Sequence, residues 1–325
     1  MDKQVVETDN KSGKSHTTGI ILGLSAAIIS STYSPFSEIV TKNGLSHYLF
    51  SGFAFLGGVL FCGIALLVQL ILTRKDKEKR LLLKTKRDWL FTLLSSVFGV
   101  FANLCLMTAL SIAPASQVTL YSNFEIIFTT FLAYFVFKEV VSWYSWAAIP
   151  FIACGAILLS LDFSSGNGVG FSWASVISLG SALGWALENN CSKQVSSKNT
   201  FEVVLIKSSV SALVELAIGF GIGYKTITSY VAPLSSFGIG ILCVGLYYFL
   251  YIQAQKRIGA VRTSCMYSVS PFLGSIISMV INMKWPVWNF YVAFCFIAIG
   301  QLLVVIGMLK NDSKNRKDKE RLTKK

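Results

Sequence analysis

Ten apolar stretches, each near the roughly 20 residues needed to cross a hydrocarbon core, fill most of this 325-residue chain. They fall near residues 18–40, 47–73, 90–111, 116–137, 143–162, 171–194, 201–223, 235–256, 262–283 and 288–310. In lipid every backbone N–H and C=O must be bonded internally, so each stretch is predicted to be a helix. The alternating pattern of barrel strands is absent. The expected fold is all-α and integral to a membrane.

One stretch of sequence occurs twice. The segment GVFANLCLMTALSIAPASQVTLYSNFEIIF, from Gly99, aligns without a gap on GLYYFLYIQAQKRIGAVRTSCMYSVSPFLG, from Gly245. Gly99 meets Gly245, Ile112 meets Ile258, and Tyr121-Ser122 meets Tyr267-Ser268. AAIISSTYSPFSEIV, from Ala26, matches SALGWALENNCSKQV, from Ser181, more weakly. Ten spans then divide into halves of five, 18–162 and 171–310, joined by a Gly- and Ser-rich linker at 163–170. A repeat of five helices inverts the second half relative to the first. Inverted repeats place a binding site near the midplane, between halves that rock to open one face at a time.

The net charge of +13 raises nucleic acid as a partner, but the distribution argues against it. Basic residues crowd the loop at 74–87 (RKDKEKRLLLKTKR) and the tail at 311–325, with Lys193, Lys198, Lys256, Arg257 and Arg262 in short connections. All of them share one side with a polar N-terminal segment, 1–17. The other side carries little beyond Lys42, Lys225 and Lys284. This is a positive-inside pattern: a multi-pass protein of the cell membrane with both termini cytoplasmic. The basic tail is expected to be disordered. The start of the chain lacks the features of a cleaved signal peptide, so the first span is expected to remain.

Most active-site chemistry lacks its residues here. The only histidines are His16 and His47, and the seven cysteines are scattered singly through apolar runs. No cofactor motif, metal-ligand spacing or phosphate-binding GxxxxGK[ST] loop is present. A membrane-embedded enzyme would need a nucleophile with its base, and none stands out. A channel would leave the inverted repeat without a purpose.

Three segments carry a family resemblance. SNFEIIFTTFLAYFVFKE, from Ser122, resembles an apolar fourth helix closed by a Lys-Glu pair. GWALENNCSK, from Gly184, resembles a Trp-Gly-x-x-Asn type of entry motif. RTSCMYSVSPFLGSIIS, from Arg262, resembles a ninth helix kinked at Ser-Pro. In this order over ten spans, the chain resembles the ten-helix EamA-type branch of the drug/metabolite transporter superfamily. It departs from that pattern in having Ser30-Ser31 in span 1, Glu38 where lysine is common, Glu125-Ile126 where proline is common, and Lys284-Trp285 after span 9. The resemblance implies a secondary transporter of a small metabolite, amino acid, organic cation or drug-like compound, working by alternating access. It is expected to be an exporter, with uptake of a quaternary ammonium nutrient as the alternative. The superfamily's substrates are diverse, so fold alone does not name one.

Glu125 is the leading site candidate, an acid near mid-membrane where a carboxylate costs about 2.5–3.5 kcal/mol on insertion scales. It is expected to meet a proton or a cationic substrate. Tyr121 and Thr129 stand one turn either side of it, and Tyr267 is the repeat counterpart of Tyr121. Glu188 with Trp185 and Asn189 on span 6 could hold an organic ammonium by charge and cation–π attraction. Lys207 and Glu215 on span 7 have the spacing of an ion chain along one face. Pro35 and Pro271 are expected inside spans 1 and 9 as hinges. Expected partners are the bilayer, a small molecule and a coupling ion such as the proton. One chain can hold a complete pathway, so either a monomer or a homodimer would serve.

Overall fold

A computed structural model of the protein describes residues 2–42, 44–73, 82–135, 143–162, 170–195, 197–221, 230–258, 263, 266–283 and 285–323. Span 1 is α1 (Asp2–Ser31) and α2 (Tyr33–Lys42), span 2 is α3 (His47–Leu72), and span 3 is α4 (Lys86–Ile112). Span 4 is α5 (Ala115–Tyr121) with α6 (Phe124–Phe135), and span 5 is α7 (Trp143–Ser160). A two-residue antiparallel pair, β1 (Leu161–Asp162) with β2 (Gly170–Phe171), brackets the linker. Spans 6 and 7 are α8 (Trp173–Val195) and α9 (Thr200–Gly221). Span 8 joins α10 (Val231–Gly240) to α11 (Tyr247–Ile258) through a π-helical turn, Ile241–Leu246. Spans 9 and 10 are α12 (Ser270–Asn282) and α13 (Trp288–Thr323).

Not every span is a continuous apolar rod. Among the described residues, six helical stretches are long and apolar enough to cross a membrane. The fourth span breaks at Ser122-Asn123, and the ninth has a turn at Ser268-Val269 just before α12. These are the same positions of the repeat, since Ser122 aligns with Ser268. Ser and Asn side chains compete for backbone hydrogen bonds, which favours a break there. Asn123 Nδ2 donates to the Leu120 carbonyl (3.0 Å), and its Oδ1 accepts from Gln301 Nε2 of span 10 (3.0 Å). Span 6 is long enough but too polar to count by hydropathy, with Ser175, Ser178, Ser181, Glu188 and Ser192 all buried.

One expectation about the chain ends changes. The tail expected to be disordered continues as helix to Thr323, and the polar N-terminal segment is helical from Asp2. Lys, Arg and Glu lose little side-chain freedom in a helix, so a span can extend past its apolar part. The linker at 163–169, most of the basic loop (74–81) and the Lys138-Glu139 pair lie outside the described residues.

The halves interleave rather than stand side by side. Spans 3 and 6 pack together, as do 1 and 8, 2 and 7, 4 and 9, and 5 and 10. Replacing every span by its counterpart five positions along turns 3–6 into 8–1, 2–8 into 7–3, and 4–6 into 9–1, all of which are contacts present. The repeat read in sequence is thus a two-fold relation in space. Spans 1, 2, 8 and 9 form one four-helix group, and spans 3, 4, 6 and 7 the other. Spans 5 and 10 pair at the flank.

Glycines let the closest helices meet. A Cβ on Gly240 would lie 1.8 Å from the Ala54 carbonyl oxygen, and one on Gly57 2.2 Å from that of Phe237. Spans 2 and 8 therefore cross backbone to backbone, the small-residue mode of packing that membrane helices use where the hydrophobic effect cannot drive them together.

Candidate functional site

A cavity of about 790 Å³, counting its open mouth, lies between the two four-helix groups. Its walls differ in chemistry. Spans 3, 4 and 6 supply Asn103, Glu125, Trp185, Glu188 and Asn189. Spans 1, 8 and 9 supply Tyr33, Tyr247, Tyr248 and Tyr267. An acidic, amide-rich wall faces a tyrosine wall.

Glu125 is only 6% exposed. The break at Ser122-Asn123 puts it in the first turn of α6 rather than inside a continuous helix, where the helix dipole favours a negative charge. Asn189 Nδ2 donates to its Oε1 at 2.5 Å, and no cation among the described residues bonds to it. Glu188, 2% exposed, is by contrast neutralised. Its Oε1 bonds the Lys207 ammonium and accepts from the Tyr248 hydroxyl at 3.2 Å. Lys207 also donates to Ser192 Oγ (3.1 Å) and lies 4.8 Å from the Tyr248 ring centroid. Two carboxyls thus line the cavity, and Lys207 bonds to one of them, Glu188.

The expected ion chain along span 7 does not form. Lys207 turns to Glu188, while Glu215, fully buried, accepts from Asn103 Nδ2 at 2.8 Å. Eight residues of helix separate them by about 12 Å, whereas partners on facing helices are in direct reach. Glu215 Oε2 has no hydrogen-bond partner among the described residues. Asn103 also donates to Ser51 Oγ (2.5 Å), which meets the Tyr33 hydroxyl (2.7 Å), so Glu215 connects to the cavity wall.

Tyr121 lies outside the cavity. Its hydroxyl donates to Ser175 Oγ (2.7 Å), and its ring packs with Phe290, Ala293 and Ile297. Thr129, one turn after Glu125 in the same helix, is not among the residues that line the cavity; the break interrupts the expected stripe only between Tyr121 and Glu125. The counterpart Tyr267 does line the cavity and bonds Ser30 Oγ at 2.7 Å. Tyr247 packs beside it in a tilted arrangement, with ring centroids 5.5 Å apart. Pro35 sits in the first turn of α2, and Pro271 in the first turn of α12. Neither interrupts the middle of a helix, because each follows a break already made. Pro at a helix start loses no hydrogen bond.

Sequence reasoning left several lining residues unaimed, among them Asn103, Ser34, Ser122 and Gly274. The π turn of span 8, which presents Cys243 and Val244 to the cavity, left no signal in composition. The duplicated Tyr-Ser at 121–122 and 267–268 was the sequence mark of the two breaks.

Interleaved halves, broken helices at matching positions and a polar cavity at their centre define a multi-pass membrane protein that handles a small molecule within the bilayer. Residues 17–161 and 172–306 each match the EamA-like transporter family. The chain belongs to that family, within the drug/metabolite transporter superfamily, and is a membrane transporter rather than an enzyme. It is 26% identical over 200 residues to an uncharacterized transporter of Methanothermobacter thermautotrophicus, covering 60% of this chain and 58% of that protein. It is 24% identical over 263 residues to an uncharacterized transporter of Clostridium kluyveri, covering 78% and 82%. One crystal structure superposes with a TM-score of 0.65 at 17% identity, over 90% of this chain and 98% of the other, a likeness of fold.

Proposed function

We propose that the protein is a secondary-active exporter of small metabolites bearing a positive charge and an apolar body, working by alternating access with both termini cytoplasmic. The observation that carries this reading is Glu125: a cavity carboxyl with no cation bonded to it among the described residues, set opposite a wall of tyrosines. A buried carboxylate without a counter-charge is costly. A proton or an organic cation relieves that cost, but one carboxyl cannot hold both. Exclusive occupancy makes antiport the natural coupling, and an inward proton gradient then drives the cation out. The tyrosine faces add cation–π attraction, worth about 2 kcal/mol or more when desolvated.

The test uses proteoliposomes loaded with a pH-sensitive dye and given choline, polyamines, basic, neutral and aromatic amino acids, and sugars in turn, because exchange of one proton for one monovalent cation moves no net charge. Organic cations are expected to drive proton movement that Glu125→Gln abolishes. Proton movement driven by neutral sugars that persists in Glu125→Gln would overturn the cation reading. Retained pH-gradient-driven transport in that variant would overturn proton coupling at Glu125.

A further inference from the structure

A second cavity, about 1130 Å³ counting open space, lies at the end of the bundle remote from the basic loop. Its lining continues that of the central cavity one helical turn along the same helices. Ser34 of α2 and Gly274 of α12 face the central cavity, and Glu38 and Ser278, each four residues on, face the second. Thr119 of α5 faces the central cavity and Ser116, one turn earlier, the second. Only one layer separates the two spaces. In that layer Ser275 Oγ is 2.9 Å from Thr119 Oγ1 and 2.8 Å from the Ser116 carbonyl. Glu38 ties it together: Oε1 accepts from the Ala115 N–H (2.5 Å), and Oε2 from Ser278 Oγ (3.0 Å) and Asn282 Nδ2. Asn282 Oδ1 in turn accepts from Lys42 Nζ.

We propose that Glu38 is the latch of a gate one helical turn thick between the central cavity and this outer vestibule. The three elements that build the layer are all short. α2 has 10 residues, α5 has 7 and α12 has 13, and each borders a break, at Thr32, Ser122-Asn123 or Ser268-Val269. Each can therefore tilt without bending a long helix. The layer is held by small hydroxyl side chains and one carboxylate, groups that exchange partners for water at small net cost. Glu38 joins span 1 and span 9 of one group to the start of span 4 in the other, beside the Ser275 bonds that also tie span 9 to span 4. Once Glu38 lets go of Ala115, the Ser275 hydroxyl bonds are the remaining described ties in the layer, and parting them connects the cavities.

The gate rests on the alternating-access reading, but its test needs no substrate. Ser122→Cys places a thiol in the central cavity, and peptide-resolved mass spectrometry follows that position apart from the native cysteines. A membrane-impermeant maleimide is applied from the vestibule face. With Glu38→Ala added, labelling is expected to speed up roughly tenfold or more, as the loss of hydrogen bonds to a charged group would give. Glu38→Gln keeps an acceptor for the Ala115 N–H and should fall between the two. Equal rates in all three proteins would overturn the latch, as would faster labelling from the opposite face alone. If Glu38→Ala fails to elute as folded protein, Glu38→Gln decides: a rate equal to the parent overturns the proposal. Substrate-driven proton movement that fails while labelling keeps this order would reject the substrate reading and leave the gate standing.

Discussion

Lys207 is 5% exposed, yet its ammonium is fully occupied by Glu188, Ser192 and the Tyr248 ring. Removing one member of a buried ion pair strands the other and typically costs about 3–5 kcal/mol, whereas replacing both by apolar groups is often nearly neutral. Lys207→Met alone is therefore expected to lower the unfolding temperature in detergent far more than Lys207→Met combined with Glu188→Leu. A double-mutant cycle on thermal unfolding checks this, and additive effects would show that the pair does not stabilise the fold. Glu125 is the contrasting residue. Among the described residues its carboxyl has a single amide donor, so Glu125→Gln should leave the unfolding temperature close to the parent's while changing transport. The same two acids stood out in the sequence, but nothing in their spacing said which one the lysine would neutralise.

Among elements, spans 2 and 8 depend most on having no side chain. A Cβ at Gly240 would collide with Ala54, whereas one at Gly238, two residues away, meets nothing within 4 Å. Gly240→Ala is expected to destabilise the protein by about 1–3 kcal/mol, the usual cost of overpacking. Gly238→Ala should be neutral or slightly stabilising, because alanine is the better helix former. Thermal unfolding of the two variants side by side separates contact from helix propensity. The broken spans make a related point. Apolar content marked residues 116–137 and 262–283 as spans, but hydropathy is blind to a two-residue turn within a run. The turns put Glu125 at a helix start and move Tyr121 off the cavity.

At the scale of the whole molecule, the interleaving of the halves decides which residues can move together. The groups 1-2-8-9 and 3-4-6-7 meet along the seams between spans 2 and 7 and between spans 4 and 9. At the basic end, Lys256 of span 8 donates to Thr200 Oγ1 (2.7 Å) and Asn199 Nδ2 to Gln69 Oε1 (3.0 Å), both across the seam. At the other end Glu38 crosses it. A rigid rocking of one group on the other would loosen one set while tightening the other. The proposed topology has the basic end in the cytoplasm, as the positive-inside rule expects. Protease added to inside-out vesicles is expected to clip both terminal segments and to spare them in right-side-out vesicles. Cleavage of only one terminus in either preparation would overturn the topology.

The sequence by itself determined the class of the protein. Apolar length specifies helices because lipid offers backbone groups no other partner, basic residues mark one face, and a gapless repeat of thirty residues implies two related halves. These are one-dimensional signals, carried by composition and register. Tertiary structure alone decided the pairing. Lys207 joins Glu188 and not Glu215, tyrosines of spans 1, 8 and 9 share a wall, and Glu38 reaches a backbone N–H 77 positions away. Such contacts depend on how helices from different halves rotate against one another. In a membrane that rotation is set by close packing of small residues and by polar groups finding partners, neither of which has a period along the chain.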